Sequence, residues 1–358
     1  MTPDIPQLAD VVQRNCDISD ARFAGDYGLC TFLLKMREFY RWENELPFTR
    51  DLPKDDLGEW LTAREEQWNH LESDDFLPLP LPFLSSASHA ALDPFDAIAA
   101  NRQLLPQGYV YSAGYGRFQK PLFFLGRLLR VEERAGLTIL VSSCEYAREL
   151  AAPPAMLQGK TIFLRQESVR RYLWEKIEEW HWSKLDNTMA RALASYEFTT
   201  DTEAALVRMT ENETESMILH EVGEALAGDL LGEAWREMVA EVSRTRAEIV
   251  ARAVRDMLAD CLSTLPVLIE CENLRALHFY FATFDAPRRQ LFPQLIVAYE
   301  GFLKTHNLKL LAQAVSDGKA HWLKTAQHFL ALHATDKIAC RAALEAMLDG
   351  LDKVKDEA

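Results

Sequence analysis

The chain has 358 residues, of which 48% are hydrophobic and 26% are charged, and its formal net charge is −15. This is the composition of an ordinary globular protein with enough chain to bury a core. The strongly acidic balance predicts no nucleic-acid partner and no membrane partner, because both require a basic surface.

The N-terminal residues, the apolar runs and the cysteines indicate in which cellular compartment the protein is expected. The first residues, Met1-Thr2-Pro3-Asp4, do not have the basic-then-apolar pattern of a secretory signal. No apolar run approaches the roughly 18 residues that a membrane span needs. The six cysteines occur without a Cys-x-x-Cys pair, which predicts buried free thiols. Together these features predict a soluble, cytoplasmic protein.

Residues 1–75 have the periodicity of helices. Apolar residues recur every three or four positions in 28–43 and again in 54–72, which predicts an antiparallel helix pair joined by a loop at 47–53. The segment 76–83 then alternates proline with leucine, a pattern that disfavours both helix and sheet. We expect this segment to run extended over the surface as a connector.

The middle of the chain changes to short runs of branched and aromatic residues. These runs, at 108–112, 122–132, 137–143 and 161–164, predict strands, with a hairpin over 127–141. They predict a small, mostly antiparallel sheet packed on helices. Ser142-Ser143-Cys144 is predicted to cap a following helix.

From Gln166 onward the sequence predicts helices to the end. Ser168 is the expected cap of a helix over 169–181, a long helix is predicted over 235–265, and Asp317-Gly318 is predicted to form a turn between two helices. The predicted fold is therefore predominantly helical α+β, with an N-terminal helix pair and a small antiparallel sheet. The predicted domains are 1–165, of mixed structure, and 166–358, a helical bundle that carries the candidate site.

The candidate site lies on a predicted helix over 213–235. His220 and Glu224 are one turn apart and share a face, with Glu221 at the edge of that face. Beside them, Gly223 and Ala227 contribute to a strip of small residues that admits a close approach by a ligand or another backbone. Gly223 costs about 1 kcal/mol relative to alanine in a helix interior, which suggests a packing or functional demand.

This pattern supports a metal hypothesis. His220 and Glu224 are the expected ligands of one divalent ion, zinc, iron or manganese, and Glu221 is the expected general base of a hydrolytic reaction. Asp260 or Asp256 is the expected third ligand. Over these five residues the pattern resembles the zinc-peptidase signature His-Glu-x-x-His, from which it departs where Glu224 replaces the second histidine.

The helical spacing between His220 and a carboxylate is weak evidence for a site in so acidic a chain. With 54 acidic residues in the chain, about five of the nine histidines should have a carboxylate at helical spacing by accident. The histidines that do have one are His70, His89, His181, His220, His321 and His333. What distinguishes His220 is the neighbouring strip of small residues and the additional Glu221.

Two alternatives stay open from the sequence. One is a non-catalytic helical binding or assembly protein, in which the small-residue strip serves close helix packing and the partner is a small molecule or a protein. Asp256 and Asp260 then belong to an ion-paired outer face. The other is a di-iron oxidase, which recruits Glu178 and His181. A concave pocket around His220 favours an enzyme, whereas a helix covering Gly223 favours the binding protein.

Overall fold

The computed structural model describes residues 4–82, 91–116, 119–183 and 187–355. Within these residues the fold is α+β and mainly helical, with a helical C-terminal part, as the sequence predicts. Phe83 and His89, which entered the sequence-based predictions, lie outside the described residues, as do residues 356–358 of the predicted C-terminal domain.

The helices follow the apolar periodicity of the sequence. In chain order they are α1 (Ile5–Phe23), α2 (Leu29–Glu43), α3 (Lys54–Leu71), α4 (Ala97–Leu104), α5 (Gln166–Ser183), α6 (Asn187–Ala194), α7 (Thr202–Glu241), α8 (Arg246–Ala259), α9 (Leu265–Glu270), α10 (Leu274–Thr283), α11 (Ala286–Leu291), α12 (Pro293–Thr305), α13 (Lys309–Thr335) and α14 (Lys337–Lys355). Several begin at a side-chain cap. The Asp4 carboxylate accepts from the Gln7 amide at 3.2 Å, and Asn273 accepts from the Ala276 amide at 3.2 Å.

The strands form two sheets among the described residues. The strands are β1 (Leu79–Pro82), β2 (Ala91–Leu92), β3 (Tyr109–Tyr115), β4 (Pro121–Arg134), β5 (Leu137–Arg148), β6 (Ala155–Gln158) and β7 (Thr161–Arg165). The larger sheet has the order β3-β4-β5-β7-β6, and only β5 and β7 run parallel. The predicted hairpin is confirmed as β4-β5, and its turn at Ala135-Gly136 has two positive φ angles, of 51° and 76°.

The proline-leucine segment is not a surface connector. β1 pairs with β2 in a short antiparallel sheet, and Leu79 and Leu81 are buried at 0% and 1% exposure. Alternate residues of a strand point to the same side, so the two leucines enter the core together. The prolines are tolerated because a two-stranded sheet has free edges that need no amide donors.

Two predicted helix caps are also wrong. Ser142, Ser143 and Cys144 lie inside β5, which continues to Arg148 and pairs with both β4 and β7. Ser168 lies inside α5, and its hydroxyl donates to the Glu145 carboxylate at 2.6 Å. The Ser168 hydroxyl therefore donates to a buried carboxylate instead of capping the helix.

The helical part is divided differently from the prediction. The expected helix over 235–265 is interrupted between α7 and α8, and it continues after Ala259 as a single π-helical segment, Asp260–Thr264. Gly232, with φ of 70°, kinks α7. The predicted turn at Asp317-Gly318 lies inside the continuous helix α13, where Gly318 packs against the ring of Phe292. Tertiary packing thus overrides the local turn signal.

Not all cysteines are buried as predicted. All six are free, and Cys16, Cys261 and Cys340 are buried, but Cys30 and Cys271 are exposed. Cys30 lies in the first turn of α2, where the neighbouring Leu29 is also exposed.

The chain divides into two units. The first comprises Met1–Glu175 and Phe198–Glu211, and its core packs α1 against the sheet through Leu8, Val12 and Phe123. The second comprises Lys176–Glu197 and Asn212–Ala358, with a core built from α7 to α14 that includes Trp235, Met257 and Trp322. None of the described helices is both long enough and apolar enough to cross a membrane.

Candidate functional site

The candidate site lies where α7 meets the end of α8. A side chain at Gly223 would place its Cβ atom 2.3 Å from the backbone oxygen of Ala259. Only glycine permits this approach, and Ala227, one turn further along, is fully buried. The strip of small residues is therefore used for close helix packing. This packing brings the preceding turn of α7, with His220, close to Asp260.

His220 and Asp260 form the centre of the site. The Nδ1 atom of His220 lies 2.8 Å from Oδ1 of Asp260, and its Nε2 atom lies 3.6 Å from Oε1 of Glu224. The imidazole is 31% exposed, whereas Asp260 is only 2% exposed. Burial lowers the pKa of His220, but the carboxylates of Asp260 and Glu224 outweigh burial and raise it well above its ordinary value. The two carboxylates therefore favour the protonated form of the imidazole, which bears a proton on each nitrogen.

Asp260 is held from several sides. The Thr264 hydroxyl donates to Oδ1 at 3.1 Å, the Tyr280 hydroxyl donates to Oδ2 at 2.9 Å, and Nη1 of Arg288 lies 3.5 Å from Oδ2. Burial raises the pKa of Asp260, but the charges of His220 and Arg288 and the hydrogen bonds from His220 and Tyr280 together outweigh burial, so its net pKa is lowered. The residue begins the π-helical segment, a feature often found at functional sites. Asp260 is thus a buried, ionised and fully hydrogen-bonded anion.

The remaining carboxylates have different environments. Nη2 of Arg255 lies 2.6 Å from Glu224 and 3.3 Å from Asp256, so one guanidinium bridges both acids. Burial raises the pKa of Glu224, but the nearby imidazole of His220 and the charge of Arg255 lower it overall. Burial and the charge of Glu224 raise the pKa of Glu221 to about 7. Glu221 is therefore the carboxyl of this cluster that titrates near neutral pH.

The arrangement partly matches a metal site. Two zinc ligands at about 2.1 Å in tetrahedral geometry are about 3.4 Å apart, close to the separation of His220 Nε2 and Glu224 Oε1. Asp260, however, lies at the Nδ1 edge of the ring, where it orients the imidazole instead of facing an ion on Nε2. Throughout the described ranges, no group of three or more His, Cys, Asp or Glu side chains is arranged to hold a metal ion.

Two family models match almost the whole chain. The N-terminal domain of a family of unknown function, DUF6866, matches residues 7–165, and the C-terminal domain of the same family matches residues 170–350. The chain belongs to the DUF6866 family. Comparison with curated proteins and with solved structures gives no match. The candidate site lies in the part matched by the DUF6866 C-terminal domain.

The residues that complete the cluster in this DUF6866 chain were not predicted from the sequence. Arg255, Thr264, Tyr280 and Arg288 all contact the predicted acids. Arg255 directly precedes Asp256, and Thr264 follows Asp260 by one helical turn, so local spacing contains a signal for these two. Tyr280 and Arg288 come from later helices and have no local signal.

His278 is a histidine of the helical part that lies outside this cluster. Its Nδ1 atom lies 2.8 Å from the Tyr299 hydroxyl in a partly buried position. Burial lowers its pKa, so it stays neutral at pH 7. It takes no part in the cluster around Asp260.

The part matched by the DUF6866 N-terminal domain holds a second charged network that the sequence did not predict. Arg165 donates to Glu145 at 3.1 and 2.7 Å and to Glu149 at 2.9 Å, and all three side chains are fully buried. Burial raises the pKa of Glu145, but the charges of Arg165 and Arg148 lower it to about 2. The pairing explains how charged residues are tolerated between the sheet and α5.

Proposed function

We propose that this protein is a non-catalytic binding protein whose helical part is held together by the cluster around His220. The observation that supports this proposal is the position of the imidazole between two carboxylates. Each of its nitrogens faces a carboxylate, Asp260 or Glu224, and the pKa of His220 is raised. A doubly protonated imidazole has no lone pair to offer a metal ion or to accept a proton from a substrate.

The rest of the cluster supports the same conclusion. Arg255 already neutralises Glu224, and Arg288 lies beside Asp260, so each acid has a cationic partner within the protein. Gly223 is covered by the backbone of Ala259, which matches the packing role expected of the small-residue strip in a binding or assembly protein. A closed set of paired charges specifies how the helices meet and leaves little unbalanced charge for a substrate.

The proposal includes the finer architecture predicted from the sequence. In it, α2 and α3 form an antiparallel helix pair, the helices after 166 form a bundle, and a domain boundary lies at 165/166. The two family models, which end at 165 and begin at 170, support this boundary. The acidic net charge of −15 supports a partner other than nucleic acid, either a small molecule or a protein.

A second candidate is the metal-dependent hydrolase. Two observations favour it: the separation of 3.6 Å between His220 and Glu224, and the Glu221 carboxyl, whose pKa of about 7 suits a general base. In this case an ion displaces the second proton of His220, and Asp260 orients the ring through Nδ1. The di-iron oxidase is a third candidate and requires Glu178 and His181 as further ligands.

Elemental analysis of protein purified without a tag or chelator tests these candidates. The samples are the wild type, the double variant His220→Ala/Glu224→Ala, and a control double variant, His333→Ala/Glu241→Ala. The control removes another histidine-glutamate pair, 3.0 Å apart and separate from the candidate site. If the protein is the non-catalytic binding protein that we propose, we expect no stoichiometric zinc, iron or manganese in any sample, even after reconstitution.

A stoichiometric metal ion in the purified protein would contradict the proposed binding function. Zinc or manganese near one ion per chain, lost in the first double variant and kept in the control, would refute the proposal and support the hydrolase. Two irons per chain, also lost in His181→Ala, would support the di-iron oxidase.

A further inference from the structure

A pocket of about 400 Å³ lies in the first unit, where α1 and α3 end and α2 begins. Its volume is within the range of small-molecule pockets. One wall is a single face of α3 together with the residue that follows this helix. The lining side chains of this wall have the i, i+3, i+4, i+7 spacing of neighbours on a helix: Glu65, Trp68, Asn69 and Glu72.

Three aromatic rings line the pocket. Trp68 is 4% exposed, and its ring centroid lies 6.4 Å from that of Phe32 with 66° between the ring planes, so these two rings form a corner. The third ring, that of Tyr27, is half-buried. Ala21 and Ala24 add little side-chain bulk to the lining. The faces of aromatic rings carry a negative potential, so this surface suits a cation.

The charged side chains that line the pocket are acidic. They are Glu65 and Glu72, and the described lining contains no Lys, Arg or His. Neither carboxylate has an ion pair or a hydrogen bond within the described ranges of the chain. The C-terminal ends of α1 and α3 add two negative helix-dipole ends, against one positive end from α2. The electrostatic field in the pocket therefore favours a cation.

Two basic side chains close to these residues are engaged with other groups and do not line the pocket. The Nζ atom of Lys120 lies 2.5 Å from Oδ1 of Asp20 and 5.2 Å from the centroid of the Tyr27 ring. Arg22 donates to the backbone oxygens of Glu72 and Asp74. The contact of Lys120 with Tyr27 also shows that one of the three rings accepts an ammonium group beside it.

We propose that this pocket binds a small quaternary ammonium compound, with its methylated nitrogen against the rings and close to the two carboxylates. A primary ammonium would lose hydrogen bonds to water that aromatic rings do not replace. Methyl groups on the nitrogen instead match apolar lining such as Leu29, whose side chain is 72% exposed. The inference rests on the proposed binding function and names a ligand class for it.

Calorimetric titration of the full chain tests the proposal with three probes. Choline carries a quaternary ammonium, 3,3-dimethylbutan-1-ol is its neutral isostere with carbon in place of nitrogen, and ethanolamine carries a primary ammonium. We expect choline to bind about fivefold or more tightly than the alcohol, because only choline gains the attraction between a cation and the rings. Ethanolamine should also bind more weakly than choline, because its ammonium is more strongly hydrated.

Variants locate the binding. The double variant Glu65→Gln/Glu72→Gln should weaken choline binding about threefold or more and leave the alcohol unchanged, because only choline interacts with these charges. Phe32→Leu keeps an apolar side chain but removes the ring, so it should weaken choline more than the alcohol. The matched control is Glu59→Gln/Glu66→Gln, which removes the same charge from exposed positions of α3 outside the pocket lining and should change neither probe.

Four outcomes overturn the proposal. They are equal affinity for choline and the alcohol, tighter binding of ethanolamine than of choline, no choline binding at about 10 mM, and equal losses of choline affinity in the pocket and control double variants.

Metal analysis of the same preparation reports separately on the proposed function. A metal bound through His220 together with choline binding in the pocket would refute that function but not the pocket. Metal-free protein that does not bind choline would refute the pocket alone.

Discussion

The close approach of α7 to Ala259 predicts a large loss of stability in Gly223→Ala. The new Cβ atom would lie 2.3 Å from a backbone oxygen, whereas such contacts normally exceed 3 Å, so the helices must separate by about 1 Å. Ala227, Met257 and Leu258, all at most 1% exposed, lose packing when this happens. Overpacking against a backbone costs about 3 kcal/mol, and the higher helix propensity of alanine offsets about 1 kcal/mol. The expected net loss is about 2 kcal/mol.

Gly228→Ala is the matched control for Gly223→Ala. Gly228 lies in the same helix, and nothing lies within 4 Å of the position that its Cβ atom would occupy. Only helix propensity acts there, so this variant should be more stable by up to about 1 kcal/mol. Urea unfolding followed by circular dichroism measures both, with the midpoint of Gly223→Ala lower by about 1 M. A Gly223→Ala variant as stable as the wild type would show that the helices do not pack this closely.

Two further predictions concern buried charges. Asp260→Asn removes the buried carboxylate that His220 and Arg288 both face, so it should cost about 3 kcal/mol in urea unfolding and lower the pKa of His220 in an NMR titration. Asp256→Asn, at a side chain 28% exposed, should cost less than about 1 kcal/mol, and an equal cost for both variants would contradict the central role of Asp260. Burial raises the pKa of Glu213 from 4.5 to about 7, so the folded chain binds this proton more tightly than the unfolded chain. The resulting stability, about 3 kcal/mol, is complete below pH 4.5 and is lost as the pH rises through 7. Glu213→Gln should remove this part of the pH dependence of the urea midpoint, and an unchanged dependence would place the titration elsewhere.

Local patterns determined much of the secondary structure. The three- and four-residue recurrence of apolar side chains predicted α2 and α3, and alternation with turn residues predicted the β4-β5 hairpin. Within the candidate site, the pairing of His220 with Glu224 also follows from the sequence, because residues one turn apart on a helix are neighbours. These features depend on interactions between residues that are close along the chain.

Only the tertiary structure decided which helical faces meet. Asp260 reaches His220 from 40 positions away because Gly223 allows two backbones to approach, and no local pattern encodes that register. The same holds for Gly318, whose turn signal is overridden by the ring of Phe292. Periodicity specifies the face that a helix buries, but the partner of that face is selected by packing over the whole fold.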